Sequence, residues 1–240
     1  MPVRPTAQSY IKSKRTIVLV VITILIFLIL LAMTIIAFTS PSTLSLSVEV
    51  SQDPVINTVK AFLTPEECKY LITMCESNQR FQPSKVSGYE ENATRTSTSA
   101  QILRGENDKI KAIESKAAQL LNVSVDYLES LQVVRYLPGE KFDAHHDYFH
   151  VGSINYDSEM ANGQRQYTIL IYLNDVIDGS GSTFFPEANL QIQPKMGLAV
   201  WWNNLQANGE ENPRTLHSGE VVTQGVKYAV NVWSRTKRQV

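Results

Sequence analysis

The four histidines of this 240-residue chain fall in two places. His145, His146 and His150 form one cluster, and His217 lies far downstream. Side chains alternate along a strand, so His145 and Asp147 would share one face. Two imidazoles and one carboxylate form a set that holds non-haem Fe(II) and leaves coordination positions open. A His-x-Asp pair on a strand is more often a surface pair or a hydrogen-bonded couple, so spacing alone leaves the question open.

A lysine interrupts an apolar stretch downstream of the second histidine position. Lys227 lies ten residues after His217, within GVKYAVNVW. An inward-facing lysine needs an anionic partner because an unpaired buried charge is costly. A lysine at the solvent edge of a sheet needs none, and both placements fit the sequence. Tyr136 and Tyr172 also lie in apolar runs, where they fit either a site or an ordinary core.

Two helices are predicted upstream of these residues. The first begins at Thr64, where a capping threonine precedes a proline and two acidic residues. The second covers about Asn107 to Leu121, with apolar residues at helical spacing. Cys68 and Cys75 lie seven residues apart in the first helix, roughly 10 Å, which is beyond disulfide reach. We therefore predict two core cysteines rather than a redox or metal pair.

Short runs rich in β-branched and aromatic residues follow residue 125, separated by Gly, Pro and Asn turns. The runs are LQVVRYL, KFDAHHDYF, QYTILIYLNDV, STFFPEA, LAVWWNNL, GEVVTQ and KYAVNVWSR. Many short strands after two helices predict an α+β fold. We expect a double-stranded β-helix, or jelly roll, with the N-terminal helices packed outside.

The N-terminal region contains a long apolar segment. Ile17 to Phe38 carries no charge, Pro or Gly, and as a helix it would span roughly 33 Å, enough to cross a bilayer. It exceeds the apolar stretch of about 7–15 residues in a cleavable signal peptide, which favours a retained signal anchor. Basic residues precede it and none follows closely, so the downstream chain is expected across the membrane. The predicted divisions are a cytoplasmic tail (1–15), a transmembrane anchor (16–39), a linker (40–60) and a catalytic domain (61–240).

The charge balance argues against nucleic acid as a partner. Beyond residue 39 the chain has 18 basic against 23 acidic residues, a net charge of −5. Nucleic-acid-binding domains are usually strongly basic. Asn92 and Asn122 stand in glycosylation sequons on the side expected to be translocated.

Several blocks in the region from Phe62 to Arg235 resemble the membrane-anchored and secreted prolyl 4-hydroxylases, a family of Fe(II)/2-oxoglutarate dioxygenases. The blocks are FLTPEECKYLI, RTS (95–97), LQVVRYLPGEKFDAHHDYF, GQRQYTILIYLNDV, GSTFFPEANLQIQPKMG and NPRTLHSGEVVTQGVKYAVNVWSR. Their shared order is more specific than any single motif. The resemblance implies that His145, Asp147 and His217 ligate Fe(II) and that Lys227 pairs with the distal carboxylate of 2-oxoglutarate.

The resemblance implies further roles around the cosubstrate. Tyr136 would face the metal and the proximal end of 2-oxoglutarate, and Tyr172 would line its pocket. Thr183 would lie on a neighbouring strand of the pocket, and Trp233 would flank the site. Arg95 would belong to a segment that closes over the peptide.

The implied reaction is hydroxylation of proline at C4 in proline-rich or collagen-like peptides. Fe(II), 2-oxoglutarate and O2 would take part, ascorbate would restore oxidised iron, and succinate and CO2 would be released. Two alternatives stay open: another peptide side chain as the target, or a catalytically silent module that binds proline-rich peptides. The endoplasmic reticulum membrane, or the Golgi, is the expected location, and the oligomeric state is undetermined.

Overall fold

The computed structural model describes residues 22–28, 46–84 and 94–239. The chain divides into two compact units, 1–44 and 45–240. Within the first unit, residues 22–28 are helical. The predicted tail, the rest of the predicted anchor and Asn92 lie outside the described residues. Among the helices that could be searched, none has the length and apolar character needed to cross a membrane.

The described part of the second unit contains three α-helices and twelve strands. The helices are α1 (Pro65–Ser77), α2 (Asp108–Leu121) and α3 (Tyr156–Ala161). The strands are β1 (Ser47–Gln52), β2 (Val55–Val59), β3 (Gln82–Pro83), β4 (Thr98–Ile102), β5 (Leu131–Tyr136), β6 (Phe142–His145), β7 (Arg165–Tyr172), β8 (Thr183–Phe185), β9 (Leu190–Ile192), β10 (Ala199–Asn203), β11 (His217–Gly219) and β12 (Lys227–Arg235).

Two antiparallel sheets form the jelly roll that the sequence predicts. The large sheet has the order β1-β2-β10-β7-β12-β5-β4-β3, and the small sheet has the order β6-β11-β8-β9. Alternation along the strands gives the large sheet two different faces. Val133 and Val230 pack with the helices, whereas Val134 and Ala229 pack with the small sheet. The site residues of the large sheet lie on this second face.

Both predicted helices start where the sequence indicates. Thr64 caps α1 in a capping box with Glu67, and the Asn107 side chain accepts hydrogen bonds from the first turn of α2. Their apolar faces lie outside the large sheet, in the cluster that contains Val133. Cys68 and Cys75 are buried there as free thiols, as predicted.

The predicted linker is wrong from Ser47 onward, because residues 47–59 form the β1–β2 hairpin. β2 pairs with β10 in the large sheet, with Val59 opposite Ala199. The Trp201 Nε1–H also donates to Ser47 Oγ at 3.0 Å. The segment SLSVEVSQ alternates polar and apolar residues, so its serines belong to a two-faced strand rather than to a tether. The folded unit therefore begins near residue 45 and not at 61.

Two of the predicted strands have different limits. GEVVTQ is largely not a strand: β11 is His217–Gly219, and residues 221–224 have no regular structure. In KFDAHHDYF, β6 ends at His145, so Asp147 lies beyond the strand. The sequence analysis also missed α3, β3 and β9, whose two to six residues are too few to show a period.

A buried ion network joins three separate elements at one end of the large sheet. The Glu129 carboxylate contacts the guanidinium groups of Arg165 at 2.8 Å and Arg235 at 2.5 Å. Arg235 also contacts Glu159 of α3 at 2.7 Å. Burial opposes ionisation of Glu129, but the two arginines outweigh it and lower its pKa. The network therefore links β7, β12 and α3 through charge.

Replacing Glu129 with glutamine is expected to destabilise the fold by about 3–5 kcal/mol, because it removes the anion shared by two buried cations and leaves Arg235 with Glu159 alone. For a unit of this size, a loss of about 3–5 kcal/mol lowers Tm by roughly 10 °C. Glu106→Gln is the matched control, since Glu106 pairs with Arg80 at the surface and such pairs contribute about 0–1 kcal/mol. Thermal unfolding followed by circular dichroism measures both, and equal shifts would contradict the expectation.

Candidate active site

The two distant histidine positions meet across the small sheet. β6 and β11 pair with His145 opposite His217, and their ring centroids are 4.3 Å apart. Asp147 follows the end of β6. Its Oδ1 lies 3.8 Å from His145 Nε2, and its Oδ2 lies 3.8 Å from His217 Nε2. One ligand atom from each of the three residues lies within 4.8 Å of the others. The surface-pair interpretation of His145 and Asp147 is therefore wrong.

The hydrogen bonds of the two histidines suit a metal centre. His145 Nδ1 is 2.8 Å from the Asp143 carbonyl oxygen, and His217 Nδ1 is 2.9 Å from that of Thr215. Each Nδ1–H donates to a carbonyl, which leaves Nε2, the nitrogen that faces Asp147, as the atom that can bind a metal. Burial and the neighbouring His217 lower the pKa of His145 well below its usual value. Neutral imidazole and ionised carboxylate are the forms that bind a divalent metal, so the three residues fit Fe(II).

Lys227 is a buried cation on the same face of the large sheet. It is 2% exposed, at the start of β12 and opposite Tyr136. Its Nζ lies 5.0 Å from the Tyr136 ring and 5.6 Å from the Tyr172 ring. In the described part of the chain no carboxylate forms an ion pair with it. Burial lowers the pKa of Lys227 to about 7, and Glu220 offsets this only in part. The solvent-edge placement is therefore wrong, and the side chain lacks an anion.

A cavity of about 430 Å³ connects this lysine with the metal-binding residues. Tyr136, Thr183 and Trp233 line it together with Lys227, and their roles around a bound cosubstrate stay predictions. Tyr172 is not among its lining residues, which corrects the prediction that it lines the pocket. Its hydroxyl is fully buried, 2.7 Å from Thr183 Oγ1, so Tyr172 forms the layer behind the wall.

Arg95 is part of the cavity wall. It is buried, and its guanidinium group donates to Ser97 Oγ and to Gln132 Oε1 on β5. Its Cζ also lies 4.6 Å from the centroid of the Phe142 ring. These contacts fix the arginine, whereas residues 85–93 before it lie outside the described residues. The prediction that this segment closes over a peptide thus remains a prediction.

The comparisons with known proteins agree with this arrangement. Residues 131–235 match the family described as the 2OG-Fe(II) oxygenase superfamily. The probable prolyl 4-hydroxylase 10 of Arabidopsis thaliana is 30% identical over 208 residues, which cover 78% of this chain and 70% of that protein. The chain belongs to the prolyl 4-hydroxylase family. A putative prolyl 4-hydroxylase of Acanthamoeba polyphaga mimivirus is 34% identical over 179 residues, covering 73% of this chain and 72% of that protein.

A solved structure is similar in both fold and sequence to this chain, a member of the prolyl 4-hydroxylase family. It is the viral collagen prolyl hydroxylase from Paramecium Bursaria Chlorella virus-1, in its 2OG complex. The TM-score is 0.62 at 25% identity, over 78% of this chain and 98% of that one. The family and the three fitting ligands together indicate Fe(II) and 2-oxoglutarate as cofactor and cosubstrate.

Two residues shortly before His145, Glu140 and Phe142, lie next to the site. Phe142 stacks on His145 with ring centroids 3.5 Å apart, so it packs against a metal-binding residue. The Glu140 carboxylate accepts a hydrogen bond from the Leu137 N–H at 2.7 Å and so holds the turn before β6.

Several polar residues of the site were missed by the sequence analysis. Arg165 lines the cavity and places its Cζ 3.7 Å from the centroid of the Trp233 ring. Thr168 and Asn204 lie behind Asp147, in hydrogen-bond contact with each other. Arg165 and Thr168 could have been found from the sequence, because each is a charged or hydroxylated residue within the otherwise apolar run RQYTILIY. Asn204 gave no such signal, because its surroundings in WWNNL read as the end of a strand.

Gly181 makes room for the buried lysine. Its φ is +68°, and a Cβ there would lie 2.8 Å from Val222 Cγ2 and 3.2 Å from Lys227 Cδ. We expect Gly181→Ala to displace Lys227 and to raise the Kd for 2-oxoglutarate on the order of tenfold, about 1.4 kcal/mol. Gly209→Ala is the control, since Gly209 has φ +85° and open space around its Cβ position. Calorimetric titration of both variants tests this, and an unchanged Kd in Gly181→Ala would contradict it.

Proposed function

We propose that this chain hydroxylates peptidyl proline at C4 and couples the reaction to oxidative decarboxylation of 2-oxoglutarate to succinate and CO2. The observation that carries the proposal is one cavity that contains both a His-Asp-His set and a buried lysine that pairs with no carboxylate of the described residues. The first can hold Fe(II), and the second can receive a carboxylate. Membership of the prolyl 4-hydroxylase family supports proline as the target.

Each of the site residues then has a task. His145, Asp147 and His217 would hold Fe(II), which supplies the activation of O2 when bound. Lys227 would pair with the distal carboxylate of 2-oxoglutarate, a charge-assisted contact in a dry environment. Thr183 lines the cavity, and its hydroxyl would assist this contact. Tyr172 would hold Thr183 from behind through their 2.7 Å hydrogen bond.

The remaining lining residues would orient the reactants and exclude water. Tyr136 would face the metal and the proximal end of the cosubstrate, and Trp233 would flank them. Arg95 would form the wall beneath the peptide, stacked on Phe142. An extended, proline-rich peptide is close to polyproline II before it binds, so it loses little conformational entropy in a groove.

The test uses residues 40–240 with Fe(II), 2-oxoglutarate and ascorbate, which we propose as the reductant of oxidised iron. Succinate is measured with and without proline-rich and collagen-like peptides, and added oxygen is located by mass spectrometry. Peptide-stimulated succinate with one oxygen at proline C4 is the expected result. Succinate release with oxygen on another side chain would mean that the enzyme hydroxylates a residue other than proline. A folded protein that binds peptide but neither iron nor 2-oxoglutarate would be a binding module.

We also propose that the chain is a single-pass protein with a cytoplasmic N-terminus, anchored through residues 16–39, with its catalytic unit in the lumen of the endoplasmic reticulum or Golgi. The uncharged run from Ile17 to Phe38 and the basic residues before it support this topology. A lumenal position would give glycosylation enzymes access to Asn122. Asn122 is exposed, at the left-handed C-cap of α2.

The topology can be tested by synthesis of the full chain with microsomes. The expected product is membrane-bound, protected from added protease, and reduced in mass by a glycosidase. Asn122→Gly is the matched variant, because glycine keeps the left-handed cap while removing the sequon. A product that protease digests without detergent and that carries no glycan would place the unit in the cytoplasm.

A further inference from the structure

Three polar side chains form a buried hydrogen-bond relay that ends at the carboxylate of the metal-binding set. The Trp202 Nε1–H donates to Asn204 Oδ1 at 2.8 Å. The Asn204 Nδ2–H donates to Thr168 Oγ1 at 2.9 Å, and the Thr168 hydroxyl donates to Asp147 Oδ2 at 2.7 Å. Trp202, Asn204 and Thr168 are each at most 1% exposed. Water therefore does not replace any of these contacts.

The relay has one direction. An indole N–H can only donate, so the oxygen of the Asn204 amide faces Trp202 and the nitrogen faces Thr168. The Thr168 oxygen accepts this second bond, and its own proton is left for Asp147. Asp147 therefore accepts a hydrogen bond from the Thr168 hydroxyl, whose orientation is set by Trp202 through Asn204. A fully satisfied buried network of this kind is rigid.

The relay residues belong to the β7–β10 region of the large sheet, whereas Asp147, which accepts the last hydrogen bond, does not. Thr168 lies on β7, directly opposite Trp202 on β10. The backbone N–H of Asn204 donates to the Gln166 carbonyl oxygen at 2.7 Å, which continues the β7–β10 contact. Asp147 instead follows the end of β6 in the small sheet. The bond from Thr168 to Asp147 therefore connects a metal-binding side chain outside any strand to a fixed frame.

We propose that Thr168 is a positioning residue of the metal centre, oriented by Asn204 and Trp202. It holds the Asp147 carboxylate toward the Nε2 atoms of both histidines and occupies one of its lone pairs. The inference depends on the metal-binding role of Asp147 and not on the identity of the peptide. It also explains why a threonine and an asparagine are buried in an otherwise apolar layer.

The test compares Thr168→Val with Thr168→Ser by metal titration, without 2-oxoglutarate or peptide. Valine keeps the shape and loses the donor, whereas serine keeps the donor. Hydrogen-bond partners of metal-binding residues typically contribute about 10–100-fold to metal affinity. We expect Thr168→Val to raise the Kd for Fe(II) and Co(II) within that range and to change the visible spectrum of bound Co(II). Thr168→Ser should stay close to the unmodified protein in both measurements.

Asn204→Ala provides a second variant, because it leaves Thr168 in place but frees its hydroxyl to rotate. Its Kd for Co(II) should lie between those of the unmodified chain and Thr168→Val, and it stands in if the valine variant fails to fold. Unfolding temperatures of the metal-free proteins show whether packing is preserved. An unchanged Kd and Co(II) spectrum in Thr168→Val would overturn the proposal. Equal losses in the serine and valine variants would do the same, because they would indicate packing rather than the hydrogen bond.

Discussion

Asp147→Asn is expected to reduce Fe(II) affinity by more than the roughly 100-fold that a change in a supporting hydrogen bond can cause. Asparagine keeps the shape of the side chain and can still accept a bond from Thr168. It lacks the negative charge that a hard divalent cation requires of this ligand. Turnover should fall with metal occupancy. Anaerobic titration with Fe(II) or Co(II), followed by a succinate assay at saturating metal, separates loss of binding from loss of catalysis.

Asp143→Asn is the matched control for this change. Asp143 lies on β6, two residues before His145, but its carboxylate pairs with Lys141 at 2.6 Å and is not one of the three metal-binding side chains. Only its backbone carbonyl contacts His145, and the substitution leaves that group intact. Affinity and activity of this variant should be close to those of the unmodified chain. Wild-type Fe(II) affinity in Asp147→Asn would mean that the metal centre lies elsewhere.

Lys227→Ala should raise the Kd for 2-oxoglutarate by about 30-fold to more than 1000-fold, the equivalent of about 2–5 kcal/mol for removing one partner of a buried charge pair. The other two arginine or lysine side chains that line the cavity already have partners: Arg95 donates to Gln132, and Arg165 pairs with Glu129. Metal affinity should be unchanged, because Lys227 is not a metal-binding residue. Calorimetric titration of the metal-loaded protein measures the effect, and a wild-type Kd would remove Lys227 from the cosubstrate site.

The affinity for 2-oxoglutarate should also depend on pH. Burial lowers the pKa of Lys227 to about 7 in the free protein, and a bound carboxylate would raise it again. Binding above pH 7 therefore requires uptake of a proton, so the Kd should rise by up to about tenfold per pH unit between pH 7 and 9. Lys227→Arg stays charged throughout this range and should show a much flatter profile. Parallel profiles in the two proteins would assign the dependence to another group.

The sequence predicted the parts of the fold whose signals are local. Thr64 and Asn107 mark helix starts through side chains that bond to the next turn, and this chemistry does not depend on the rest of the fold. The β1–β2 hairpin was mistaken for a linker because a short strand rich in serine differs from a tether only in its partner. The hairpin joins the sheet through the pairing of β2 with β10, which lies about 140 residues away in the sequence.

The candidate active site also has a part that the sequence predicts and a part that depends on long-range contacts. The residue types at His145, Asp147, His217 and Lys227 are visible in the sequence, but the pairing of β6 with β11 that brings the histidines together is a long-range contact. The relay through Thr168 was not predictable, because two of its three bonds join residues 21 and 36 positions apart in the sequence. Its members look like ordinary polar residues until their burial is known.

The buried cysteines of α1 make this chain suitable for site-specific labelling. Cys68 and Cys75 are the two cysteines of the chain, and burial raises the pKa of each thiol to about 11. At neutral pH only about one in 10⁴ of such thiols is ionised, and the thiolate is the reactive form. A single cysteine introduced at an exposed position can therefore carry a fluorophore or spin label without removal of the native pair. Distances from such a label to a paramagnetic metal at His145, Asp147 and His217 would then become measurable in the working enzyme.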